Sequence, residues 1–234
     1  MSKRPSGREL ELRFFEIYRS EEYLRLLFDG ALLSAALTIT AGVLGMVCAL
    51  ALSTARHARM PVLGAVAAVY TEIVRNTPLI VQLFFVAFGL PLLLGYQWPF
   101  WAHALLALTL NFSAYFTEIL RAGYSGVDVG HVEAARALGL RSPVIFGRIV
   151  LPQAVAKMFP SLSAQFIFLF LTTGVISEIG VEDLTHAGVF IDSRSFRSFE
   201  VFITLTVIYI GMSLAFKGAL KALHSYLFRW QTVS

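Results

Sequence analysis

The chain has 234 residues, of which 57% are hydrophobic and 15% charged, with one cysteine, a formal net charge of +4 and a mean hydropathy of +0.71. Soluble domains run at about 45–50% apolar and about 25% charged, so this composition argues against one and equally against intrinsic disorder. The single cysteine excludes an intrachain disulfide framework, and no Cys/His group has the spacing of a zinc site.

Charges fall in blocks along the chain. Residues 1–29 interleave Arg4, Arg8, Arg13, Arg19 and Arg25 with Glu9, Glu11, Glu16, Glu21, Glu22 and Asp29, and hold no apolar run followed by a cleavage site. Leu10, Phe14, Ile17 and Tyr18 recur at helical spacing. The segment therefore reads as an arm, either an amphipathic helix on the membrane surface or a solvated flexible strip.

After it, no Asp, Glu, Lys or Arg occurs over residues 30–55, 76–117, 158–177 and 201–216. A hydrocarbon core of about 30 Å takes about 20 helical residues to cross. The gaps predict an all-α integral membrane protein with five crossings, at residues 30–55, 61–95, 99–121, 154–177 and 199–222, followed by a tail over 225–234. The second is expected to break near residues 76–78, where Pro78 lacks a backbone donor and disfavours helix at Thr77. Arg56 and Arg59, then Arg121, Arg136, Arg141, Arg148 and Lys157, then Lys217, Lys221 and Arg229 fall on one side of this arrangement. The positive-inside rule makes that side cytoplasmic, with the C-terminus inside and the N-terminus outside, although the basic residues of the arm pull the other way.

Residues 128–152 form the loop after the third crossing. Asp128 is placed to cap a short helix whose middle is Glu133 to Leu138, Gly139 to end it in a left-handed conformation, and Ser142-Pro143 to start another that Leu151-Pro152 breaks. Ala134 and Ala135 leave one face flat and Glu133, Arg136 and Arg141 ring it with charge, an arrangement suited to a partner protein and unsuited to catalysis.

The spacing EAA, three residues, G, nine residues, I-x-LP, carried by Glu133, Ala134, Ala135, Gly139, Ile149, Leu151 and Pro152, resembles the coupling loop of ABC importer membrane subunits. The run from Arg75 to Phe85 is similar to the R-G/N-T-P-L-x-V-Q-L-F-F block of the polar amino acid permeases (histidine, glutamine and glutamate type). The run from Ala114 to Gly123 is similar to their A-Y-x-x-E-I-x-R-G/A-G block. The resemblance covers about residues 30–224 and implies the type I importer transmembrane fold in a bacterial inner membrane. It further implies a second identical or homologous permease subunit, an ABC ATPase dimer and an amino-acid-binding protein as partners. His131 departs from the Gln common at that place. No G-x-x-x-x-G-K-[ST] occurs, so the chain itself is expected to be no enzyme and to bind no cofactor, with ATP and Mg held by the ATPase.

Polar groups at membrane depth face the protein interior as a rule and are the candidate substrate contacts. Asn111, Tyr115 and Glu118 share one helical face. A free amino acid needs an acceptor for its ammonium group, for which Glu118 and Glu72 are candidates, and a donor for its carboxylate, for which Arg75 is one. Thr77 at the expected break and Gln165, Thr172 and Thr173 in the fourth crossing are further candidates, although a Thr more often bonds its own helix backbone. The opposing reading pairs Glu72 with Arg75 and Glu118 with Arg121. A secondary transporter would use similar groups but usually shows internal repeats, and none is present; a membrane adaptor without transport activity is the other alternative.

Overall fold

The computed structural model describes residues 14–229, and among them every regular element is helical. A single turn, α1 (Phe15–Tyr18), leads into α2 (Glu21–His57). Ser20 opens α2 by accepting the N–H of Tyr23 at 3.3 Å, and Glu21 and Glu22 put negative charge on its positive end. The helix thus starts at Glu21, inside the segment assigned to the arm, because a cap sets its beginning rather than the last charged residue. Leu10 of the expected amphipathic helix lies outside the described residues. Ile17 is buried with Leu27, Leu184, Ile191 and Val201, and Tyr18 Oη lies 2.9 Å from Thr204 Oγ1, so this turn packs on protein.

Two helices follow on one broken course, α3 (Pro61–Arg75) and α4 (Leu79–Leu94), bent by 109°. Then come α5 (Phe100–Ser125), α6 (Val129–Ala137), α7 (Ser142–Ile179), α8 (Leu184–Ser195) and α9 (Ser198–Leu227). Length and apolarity mark α2, α7, α9 and the bent pair as membrane crossings. The helix α5 is not among these; it is 26 residues long, enough for about 39 Å, yet buries His103, Thr109, Asn111, Ser113 and Thr117. It carries these groups because α2, α3, α4 and α7 pack around it in place of lipid. Along α2, Gly30, Ser34, Leu37, Ala41, Gly45, Ala49 and Ser53 form the buried stripe, and these mostly small residues admit close helix approach. A Cβ on Gly45 would stand 3.4 Å from the Ser113 nitrogen.

Leu151-Pro152 does not break the helix as expected from the sequence. Residues Phe146–Val150 form a π turn that runs without interruption into the helix at Leu151. The wider turn ahead of Pro152 accommodates the missing donor and the ring, so one helix continues from the loop into the membrane.

At the opposite end of the bundle, α8 rests on α2. A Cβ on Gly30 would lie 2.7 Å from the Asp183 carbonyl oxygen, and the Leu184 N–H donates to Ser34 Oγ at 3.2 Å. Asp183 caps α8, its Oδ1 accepting from His186 N at 2.9 Å, while its buried Oδ2 has no hydrogen-bond partner among the described residues. Burial pushes this carboxyl up from 3.8 to about 6, opposed by the backbone N–H groups of His186 and Thr185. A raised acid pKa favours the fold when the group is protonated; that stabilisation is complete below pH about 4 and is lost as pH rises through about 6. The thermal midpoint of the purified chain is therefore expected to be higher at pH 4.5 than at pH 7.5, and Asp183→Asn to remove most of that difference. An unchanged pH step in the variant would assign it to another group.

Candidate functional site

The break between α3 and α4 exposes backbone groups at membrane depth, which protein or enclosed water must satisfy. Gln82 does much of this. Its Nε2 donates to the carbonyls of Val74 at 2.7 Å and Thr77 at 3.0 Å, while its Oε1 accepts from Asn111 Nδ2 at 3.0 Å. Thr77 Oγ1 donates to the Ile73 carbonyl at 2.8 Å, and Asn76 Nδ2 donates to Glu72 through both its carbonyl, at 2.8 Å, and Oε1, at 3.0 Å. A side chain from α5 thus holds the corner of the broken helix.

Beside this corner lies a cavity of about 480 Å³. Arg75, Asn76, Thr77, Asn111, Tyr115 and Thr172 are its polar lining, and Phe112 and Phe168 are among its apolar walls. The Arg75 guanidinium sits 5.6 Å from the centre of the Tyr115 ring, and its side chain remains 41% exposed. Five of the residues singled out in the sequence, Arg75, Thr77, Asn111, Tyr115 and Thr172, therefore meet here.

The others are placed differently. Glu118 stands next to the cavity, its carboxylate bound by Arg56, by Arg121 at 2.8 and 3.0 Å, and by Arg75 at 3.9 Å. Arg56 also donates to Thr71 Oγ1 at 3.2 Å, which ties α2, α3 and α5 at one point. Glu72 is exposed and bonded to Asn76, so the expected Glu72–Arg75 pairing gives way to two other contacts. Gln165 does not line the cavity; its Nε2 is buried without a hydrogen-bond partner among the described residues. Sequence reasoning left out Gln82 and Arg56. Gln82 carried a signal, being polar within an apolar run, whereas Arg56 read as an interface charge because its partners are remote in sequence.

The segment over 128–152 is braced against the same bundle. Asp128 Oδ1 accepts from Gly130 N at 2.7 Å to start α6, and Gly139 follows it at φ +73° with nothing near the place of a Cβ. Ala135 is buried, while Glu133, Ala134 and Leu138 face outward. His131 Nδ1 lies 3.1 Å from Gln153 Oε1, and Lys157 Nζ donates to the Gly126 carbonyl at 2.9 Å. His57 stacks on Phe146 at 5.0 Å and meets the edge of Tyr124 at 5.2 Å, and Tyr124 Oη lies 3.0 Å from Ser53 Oγ. Ile149, Leu151 and Pro152 are half-buried at the root of α7. Among the described residues, no three His, Cys, Asp or Glu side chains gather as a metal site.

Comparison with known proteins agrees with this arrangement. The chain is 33% identical over 207 residues to a probable glutamine ABC transporter permease of Bacillus subtilis (strain 168), covering 87% of this chain and 94% of that one. It is 35% identical over 193 residues to an octopine transport system permease of Rhizobium radiobacter, covering 79% and 78%. A crystal structure of an amino acid ABC transporter with histidines contains a chain that superposes with a TM-score of 0.82 at 32% identity, covering 92% of this chain and 99% of that one. A chain of the inward-facing MetNI methionine ABC transporter matches in fold, with a TM-score of 0.77 at 19% identity over 89% and 99% of the two chains. The profile of the binding-protein-dependent transport system inner membrane components matches residues 28–228, and the chain belongs to that family.

Proposed function

We propose that this chain forms half of the translocation path of an ATP-driven importer for polar amino acids, and that the cavity at the α3–α4 break receives the substrate. The observation that carries this reading is the convergence of a part-exposed guanidinium, two amides, two threonines and a tyrosine on one cavity at membrane depth. Arg75 offers a bidentate donor to a carboxylate, and the hydroxyl and amide oxygens, with the Tyr115 face, accept an ammonium group. Glu118 neutralises the arginines beside the cavity, so it positions Arg75 instead of receiving the substrate. The glutamine, arginine and octopine permeases among the relatives support an amino acid as cargo.

The chain holds no nucleotide-binding loop, so the energy comes from a separate ABC ATPase dimer. That dimer grips α6 and Gly139 on the cytoplasmic side, where the C-terminus also lies, with the N-terminus outside. A second permease subunit completes the path, and a binding protein delivers the substrate to its outer mouth. In proteoliposomes with these partners, Arg75→Gln is expected to raise the half-saturating amino acid concentration roughly tenfold to hundredfold, as the loss of a charged hydrogen bond implies. Arg75→Lys should recover part of that loss. Equal half-saturation in wild type and Arg75→Gln would remove the cavity from the path, and competition among amino acids in the same vesicles names the substrate.

A further inference from the structure

Between α7 and α9, beside Pro160, lies an open groove of about 660 Å³. Phe159, Ile167, Leu214 and Leu220 are among its apolar walls. It continues along α9, through Ser213 and Leu214, into a second space of about 510 Å³ lined by Leu171, Phe202 and Leu205, in which the hydroxyls of Thr185 and Tyr209 bond each other and that of Thr206 bonds the Phe202 carbonyl, so that its free surface is mainly apolar. The end nearer the 128–152 segment is basic. Lys217, Lys221 and His224 line it at i, i+4 and i+7, on one face of α9. No acidic residue lines either space, and the sequence has none beyond Glu200. Between the basic end and the apolar length, Ser163 Oγ and Ser213 Oγ are buried without a hydrogen-bond partner among the described residues.

This order of chemistry along one groove, cationic, then hydroxyl, then apolar, matches the order of groups down a phospholipid. We propose that the α7–α9 groove is a binding site for an anionic phospholipid of the leaflet on the side of the 128–152 segment. Lys217 and Lys221 extend toward the interface and hold the headgroup phosphate. The two serine hydroxyls donate to the ester oxygens, and an acyl chain lies along Leu214 and Ile167 toward Phe202. The site is separate from the substrate cavity and shares no lining residue with it.

The test uses the full-length chain in nanodiscs of mixed phosphatidylglycerol and phosphatidylcholine, with retained lipid counted by native mass spectrometry. Phosphatidylglycerol is expected to be retained over phosphatidylcholine. At about 5-fold per lysine, Lys217→Gln with Lys221→Gln should lower that preference roughly 25-fold, and the paired Arg variants should keep it. If the glutamine pair does not fold, Ser213→Phe, which fills the groove and keeps both lysines, is read with the same expected loss of lipid. Three results overturn the site. They are equal retention of the two lipids, retention unaffected by these variants, and disulfide formation between copies through Ala164→Cys in a Cys48→Ser background, which would give the groove to a second chain.

Discussion

Glu118→Gln is expected to cost about 3 kcal/mol of stability and to remove most folded permease from the membrane. The carboxylate is 16% exposed and is shared by Arg56, Arg75 and Arg121, which come from three different helices. Removing one member of a largely buried charge group leaves the others desolvated and unpaired, at about 3–5 kcal/mol, and here three guanidinium groups would also repel one another. The low end applies because Arg75 and Arg121 are part-exposed and solvent screens them. Thermal unfolding in detergent measures the loss, and Glu118→Leu with Arg56→Leu should recover part of it, since an apolar pair removes a charge from each side of the mismatch. A stable Glu118→Gln permease with weakened uptake would instead make Glu118 a substrate contact.

Gly139→Val is expected to leave the chain in the membrane, lower uptake at least tenfold, and leave the partner's ATP hydrolysis running without transport. Gly139 sits at φ +73° directly after α6, and its Cβ would meet nothing within 4 Å. The cost is therefore backbone strain alone, about 1–2 kcal/mol for an ordinary L-residue and more for a β-branched one. The chain is expected to relieve it by unwinding the turn, and under the proposed coupling α6 would then cease to be a rigid lever on the ATPase. Gly139→Asn is the control, because Asn tolerates the left-handed region and should retain most of the uptake. Both variants are read by uptake and ATPase assays on the same proteoliposomes, and substrate-stimulated uptake at the normal rate in Gly139→Val would detach this turn from coupling.

The helical membrane character, the break at residues 76–78 and the family were legible in the sequence by itself, because each rests on local rules. A charge-free stretch long enough to cross lipid can be counted, Pro78 removes one donor wherever it sits, and the spacing from Glu133 to Pro152 is a pattern along the chain. What the tertiary structure decided was which polar groups meet. Glu118 looked equally suited to substrate or to Arg121 until Arg56 and Arg75 closed on it from α2 and α3. Gln82 showed its use only once Asn111 of α5 stood opposite, and Pro152 proved harmless because a π turn formed ahead of it. In a membrane the apolar surface of every helix is alike to lipid, so periodicity leaves the neighbours unspecified. Close packing of small residues and the need to satisfy each buried polar group select those neighbours, and both act between residues far apart in the chain.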